Sequence, residues 1–315
     1  MCRRIIGLTQ WTFGGEDFSG QKVLRGDYAD SSDVLLCLGF HEDELAGTTI
    51  GIMGKDYPGL GLIADVTTLP EYRGLGIAGQ LCDAATEYFK RNHGNWLLLG
   101  TNEENARRIY ERAGFTEHVG NVMIWNPAGD ELSSAYWGTA TEDVKIRSAE
   151  WGDLPRLVML YTCDLLWPVS HWQRDLVSSA FAHQARAVSS AGPTWHLTAE
   201  AGGSWNVAEN RDGAIVGAVT LTRGGTPLTQ HAAVVDLAVH PAYVSVSDVL
   251  LKAALDDARE RKITSLSAYV SSQHKDQCAV FTSAGFTQCG RIPGALRYED
   301  QSVDVEIFHL ARTTS

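Results

Sequence analysis

The residues best placed to do chemistry lie in one stretch, Asp65-Val66-Thr67-Thr68-Leu69-Pro70-Glu71-Tyr72-Arg73-Gly74-Leu75-Gly76-Ile77-Ala78. An apolar run from Leu60 to Val66 leads into it, and Pro70 stops that run. Two glycines and an alanine follow, and then apolar residues at helical spacing, Ile77, Leu81, Ala85 and Tyr88. The order reads as strand, glycine-rich turn and helix start. A helix start offers unpaired N–H groups and partial positive charge, and glycine lets an anion come close to the backbone. The turn therefore suits a phosphate or diphosphate, although a tight connection with no ligand would use the same residues. It carries no Gly-Lys-Ser/Thr, and no Gly-x-Gly-x-x-Gly with an acidic residue further on. Asp65 interrupts an otherwise apolar strand, so its carboxylate needs a partner, either a cationic ligand or a structural hydrogen bond.

The spacing sharpens this picture. Arg73-x-x-Gly76-x-Ala78 fits the pattern Arg/Gln-x-x-Gly-x-Gly/Ala. Downstream, Asn105-Ala106-Arg107-Arg108-Ile109-Tyr110-Glu111-Arg112-Ala113-Gly114-Phe115 reads as a helix that carries a Tyr and closes on Gly-Phe. An apolar strand, Trp96 to Leu99, joins the two motifs. In both, and in their order, the chain resembles the GNAT superfamily of acyl-CoA-dependent N-acyltransferases.

The resemblance implies acetyl-CoA as cosubstrate and direct attack by a primary amine of a small molecule. It implies that backbone groups of Val66, Thr67 and Thr68 run beside the pantetheine arm. Backbone N–H groups of Leu75, Gly76, Ile77 and Ala78 hold the pyrophosphate, with Arg73 and Gly74 opening the loop. Tyr110 is then the general acid for the leaving thiolate; its other reading is a core Tyr on the face of Ala106, Ile109 and Ala113. Asp65 holds or deprotonates the acceptor amine, or is structural. The family often has Asn seven residues before the Tyr; here Glu103 stands there, with Asn102 and Asn105 on either side, and a one-residue shift would restore that contact. The other class of function open to such a chain is a non-catalytic CoA-binding sensor or interaction module.

The totals fit this reading. The chain has 315 residues, enough for two ordinary domains. A formal net charge of −12 leaves no basic face for nucleic acid and agrees with a cationic acceptor. Cys2, Cys37, Cys82, Cys163, Cys278 and Cys289 show neither metal-ligand spacing nor a disulfide framework, so no metal is expected and a reducing, cytoplasmic setting is. No run approaches a membrane span, and the apolar stretch after Met1 is too short for a signal peptide.

The elements that must position these residues alternate along the chain. Ile5 to Leu8 reads as a strand, Gly14-Gly15 and Gly26-Asp27 as turns, and Val34 to Phe40 with Ala46 to Met53 as a hairpin. The strand to Val66, a helix from Gly74 to about Arg91, the strand at Trp96, a helix near Glu104–Ala113 and the closing segment Val119 to Trp125 complete a mixed α/β sheet. The expected division is a catalytic domain over 1–127, a linker over 128–142 and a second domain over 143–315. The second part opens with a strand at Val144–Arg147 and a helix from Asp153-Leu154-Pro155, and then reads as a helix over Trp172 to Ala187. Strands follow at Trp195–Thr198, Trp205–Glu209 and Ile215–Leu221. Trp167, Trp172, Trp195 and Trp205 suit core packing or an acceptor pocket.

This part then repeats the first. Matched on Pro70 and Pro241, Val235 to Tyr243 lines up with the stretch ending at Tyr72, and Cys278 to Phe286 matches the helix ending at Phe115. On this match Asp236 meets Asp65, Arg73 becomes Val244, Gly76 becomes Ser247, Ile77 becomes Asp248, Ala78 becomes Val249 and Tyr110 becomes Phe281. Bulk and a carboxylate replace glycine where an anion would sit. The expectation is a tandem pair of GNAT-like domains whose second copy is degenerate.

Overall fold

A computed structural model of the chain describes residues 20–129, 132–138, 143–167, 169–174, 176–177, 194–298 and 301–312. The readings of Ile5 to Leu8, Gly14-Gly15 and Cys2 lie outside them. The chain forms two compact units. One is Met1–Glu131 with Glu150–Arg156; the other is Leu132–Ala149 with Leu157–Ser315.

The first unit runs α1 (Gly20–Arg25), β1 (Ser32–His41), β2 (Glu44–Gly54), β3 (Leu60–Thr68), α2 (Ile77–Arg91), β4 (Trp96–Gly100), α3 (Glu104–Arg112), β5 (Phe115–Val119) and β6 (Val122–Trp125). Its sheet has the order β1-β2-β3-β4-β6-β5, antiparallel except where β3 runs parallel to β4. The alternation expected from the sequence is present. Helix α2 buries Ile77, Leu81, Cys82, Ala85 and Phe89, one stripe at 3.6-residue spacing. That stripe presses close to the sheet. A Cβ built on Gly61 would lie 1.8 Å from the Phe89 ring, so only glycine fits there. Seven residues from later in the chain complete this unit. Trp151 stacks on Tyr28 with ring centroids 4.1 Å apart, and Gly152 donates its N–H to Ser31 Oγ at 3.3 Å.

The second unit contains α4 (Leu132–Trp137), β7 (Val144–Ser148), most of α5 (Leu154–Thr162), β8 (Val169–His171), β9 (Leu176–Val177), β10 (Ser204–Asn210), β11 (Ile215–Arg223), β12 (Ala232–Val239), α6 (Ser247–Glu260), β13 (Ser265–Ser271), α7 (Lys275–Ser283), β14 (Thr287–Tyr298) and β15 (Gln301–Ala311). Its sheet has the order β14-β15-β13-β12-β11-β10-β7, and again a single pair, β12 and β13, is parallel. Each unit is a mixed sheet with helices, as the repeat requires. Helix α4 packs in this unit through buried Tyr136 and Trp137.

Two local readings are overturned. The helix expected over Trp172 to Ala187 is absent where the structure describes it: Trp172–Arg174 is a single 3₁₀ turn, and Leu176–Val177 pairs with β8. Residues 178–187 lie outside the described segments. Trp195–Thr198 is helical rather than extended, entering a π turn over His196–Glu200. A strand there would need a free sheet edge, but β10 already has β11 on one side and β7 on the other. Thr198 instead bonds locally, its Oγ1 donating to the Thr194 carbonyl at 2.6 Å.

Among the described residues the cysteines are free thiols, no cluster of His, Cys, Asp and Glu could hold a metal, and no helix is long and apolar enough to cross a membrane.

Candidate functional site

Strand β3 carries the site because it loses its regularity halfway along. Its ladder with β2 runs from Met53↔Gly61 to Ile50↔Ala64 and resumes at Thr48↔Thr67. Asp65 and Val66 therefore face the single residue Thr49, which is a β-bulge. Asp65 takes φ +55°, a left-handed conformation that a residue with a Cβ adopts at a cost. Side chains pin the bulge: Thr49 Oγ1 donates to the Ala64 carbonyl at 3.2 Å, and Thr67 Oγ1 to the Asp65 carbonyl at 3.3 Å.

On its other side, β3 pairs with β4 only through Leu60↔Trp96, Gly61↔Leu97 and Leu62↔Leu98. Beyond Leu62 the two strands part. From Ile63 to Thr68 the strand has β2 on one side and, among the described residues, no ladder on the other. Val66, Thr67 and Thr68 lie along this open edge, so backbone groups there can pair with an extended amide-bearing ligand.

The chain leaves β3 through Leu69, whose N–H reaches the Ala46 carbonyl at 2.9 Å, and makes a 3₁₀ turn over Pro70–Tyr72. Gly74 and Gly76 then take φ +81° and +78°, and α2 starts at Ile77 with no side-chain cap on Gly76. The N–H groups of Leu75, Gly76, Ile77 and Ala78 have no acceptor among the described residues. A Cβ built on Gly74 or Gly79 would meet nothing among the described residues within 4 Å. Amides and a helix start in this arrangement could hold an anion. Arg73 is exposed and donates from Nε to the Thr68 carbonyl at 3.4 Å, which ties the loop to the end of the open edge.

Tyr110 lies on α3 and faces inward. It is 7% exposed and meets Phe115 edge-on, with ring centroids 6.2 Å apart. Val66, Ala106, Ile109 and Ala113 pack against the same cluster, which also holds Cys82. Burial, with a smaller contribution from Cys82, pushes the Tyr110 phenol well above its ordinary value, so the group stays protonated. Burial also pushes the Cys82 thiol up to about 12, Asp83 and Cys37 adding to the effect, so Cys82 is no nucleophile. Asn102 and Asn105 are exposed where α3 begins, beside Glu103, whose N–H donates to Thr101 Oγ1 at 3.1 Å.

Several features escape a reading of the residues alone. The bulge is one. Others are Phe40 and Leu75, each half exposed, and the His41–Tyr72 ring contact at 5.3 Å, which gives the loop an aromatic neighbour. Strand pairing also corrects the match between Asp65 and Asp236. From the last β3–β4 pair at Leu62 to Pro70 is one residue more than from the last β12–β13 pair at Val234 to Pro241. The extra residue is the bulge. By ladder position Asp236, opposite Thr220, matches Ala64, opposite Ile50. Asp236 therefore says nothing about the role of Asp65.

The second unit lacks the other features too. The β11–β12 ladder is unbroken from Arg223↔Ala233 to Gly217↔Val239. A 3₁₀ stretch over Pro241–Val246, kinked at Tyr243, leads into α6, and the Ser247 N–H donates to the Val244 carbonyl. No residue from His240 to Val249 has a positive φ. Phe281 fills the place of Tyr110, edge-on to Phe286 at 5.2 Å.

Comparison with known proteins agrees with the repeat. The model of the acetyltransferase (GNAT) family matches residues 6–115 and again 166–286. Among solved structures, a GNAT-family acetyltransferase from Streptococcus pneumoniae is 18% identical with a TM-score of 0.44, over 54% of this chain and 99% of its own. A ribosomal-protein-alanine N-acetyltransferase from Brucella melitensis is 20% identical with a TM-score of 0.45, over 53% and 99%. A phosphinothricin acetyltransferase from Sinorhizobium meliloti, solved with acetyl-CoA, is 13% identical with a TM-score of 0.47, over 53% and 88%. No curated protein matches the chain in sequence.

Proposed function

Because the chain belongs to the acetyltransferase (GNAT) family, we propose that it is an N-acyltransferase moving an acetyl group from acetyl-CoA to a primary amine of a small molecule. Acetyl-CoA supplies the thioester carbonyl that the amine attacks directly, and CoA leaves as the thiol. The sequence domain over residues 1–127, the main part of the first unit, does this work, and the chain over 143–315, apart from the Glu150–Arg156 segment that packs in the first unit, forms a degenerate second copy. The protein acts in the cytoplasm.

The observation that carries this reading is the contrast between the two helix starts. Open, left-handed glycines with unclaimed amides precede α2, and a closed 3₁₀ turn precedes α6. In the first unit the amides of Leu75 to Ala78 hold the diphosphate, with Arg73 and Gly74 opening the loop. The open edge at Val66, Thr67 and Thr68 aligns the pantetheine arm, and Asn102 or Asn105, exposed at the start of α3, gives the cofactor a hydrogen bond. Tyr110 gives its proton to the departing sulfur, and Asp65 holds the acceptor ammonium or takes its proton.

Calorimetric titration with CoA tests the site. One CoA binds per wild-type chain, and Gly76→Asp, which puts a carboxylate among the amides, binds none while keeping the fold. Two equivalent sites, or full binding by the variant, would remove the loop from the site. The depth of Tyr110 in the core favours one other reading, a CoA-binding sensor without turnover. CoA binding with no thiol released across a panel of amines would select it.

A further inference from the structure

The phosphate seat is not the only difference between the two clefts. In the first unit, the residues two positions beyond the last β3–β4 pair are Ala64 and Gly100. In the second unit, the residues two positions beyond the last β12–β13 pair are Asp236 and Tyr269. Residues two apart in a strand share a face, so each pair flanks the point where the parallel strands separate. Ala64 and Gly100 put almost nothing there. Asp236 and Tyr269 put a carboxylate and a phenol ring there, and one residue joins them. The Trp172 N–H donates to Asp236 Oδ1 at 2.8 Å, and the Trp172 indole lies parallel to the Tyr269 ring, centroids 4.9 Å apart and 9° between planes. The preceding residue anchors the same segment. His171 is fully buried, with Nδ1 3.7 Å from Asp236 Oδ2 and Nε2 3.5 Å from Thr222 Oγ1 on β11.

We infer that Trp172 is a built-in clasp that closes the second cleft, so that this copy of the fold holds its own side chain where the first copy is open to a ligand arm. The inference rests on reading the first cleft as the acyl-donor site. Loss of the glycine loop alone would leave parted strands with unpaired backbone, a costly state in a buried layer. The clasp bridges the gap between them, because an aromatic stack on one strand and a hydrogen bond to a buried carboxylate on the other tie the strands together. It also gives Asp236 a role that needs no ligand.

Hydrogen exchange read by mass spectrometry on the full chain, with and without CoA, separates the two ideas. In the wild type, CoA slows exchange over residues 63–68 and leaves 235–239 and 268–271 unchanged. Trp172→Ala speeds exchange over 235–239 and 268–271 at least tenfold and leaves 63–68 as it was, whereas Trp172→Phe, which still stacks, stays within about twofold of wild type. If Trp172→Ala does not fold, Tyr269→Ala removes the other half of the stack and is read in the same way. Wild-type exchange in the alanine variant, or protection of 235–239 by CoA, would overturn the clasp. Faster exchange in the alanine variant with no CoA effect on 63–68 would uphold the clasp and sink the donor-site reading.

Discussion

Tyr110 and Asp65 are both placed at a cost, and each cost makes a test. The Tyr110 ring is fixed by Phe115 and the apolar face of α3, and removing only its hydroxyl leaves that packing intact. Tyr110→Phe should therefore melt within a few degrees of wild type while kcat falls by about 10²-fold, the lower end of what a positioned proton donor contributes. Its raised pKa has a sign that can be checked. The folded state holds the phenolic proton more tightly than the unfolded state, so the contribution to stability is full below the ordinary value of 10.0 and fades as pH rises toward the folded value. Denaturant titrations of wild type and Tyr110→Phe should agree at neutral pH and differ in slope above that point. Asp65→Asn keeps a residue type that tolerates left-handed backbone but loses the charge. Its kcat/KM should fall about tenfold with an unchanged melting temperature, as expected for one charge-assisted hydrogen bond to the amine. Unchanged kinetics would leave Asp65 a purely structural part of the bulge.

At the scale of elements, the strands and helices around the site were legible because they obey simple periods. The stripe of α2, the apolar run of β3 and the hairpin of β1 and β2 each follow from spacing and turn residues. The loop was legible because only glycine suits its backbone. The bulge was not, because one extra residue in a strand shows only when the partner strand is counted against it. The π turn at His196–Glu200 was hidden for a related reason: its apolar and β-branched residues suit a strand, and only the occupied edges of β10 exclude one. The fit of α2 against β3 predicts a sharp mutational effect. Gly61→Ala places a methyl inside the Phe89 ring, and it should lower the stability of the first unit by about 1–3 kcal/mol, the usual cost of overpacking, as a fall in melting temperature. Gly74→Ala, in open space, costs only its left-handed backbone, about 1–2 kcal/mol.

For the whole molecule, the sequence repeat and the two sheets agree on a tandem architecture with one parallel strand pair in each unit. Residue identities alone exposed the missing glycine loop before α6, where no residue from His240 to Val249 has a positive φ. The clasp at Trp172 is hidden in the sequence, because the spacing from Trp172 onward suits a helix and only the structure shows a 3₁₀ turn there. The open side of β3 has one more outcome. Main-chain amides that lack a neighbouring strand attract any extended peptide, including that of another copy of the chain. A small molecule lying along them would keep other copies away. Light scattering from concentrated samples should thus rise more slowly on standing when CoA is present, and the benefit should vanish in Gly76→Asp.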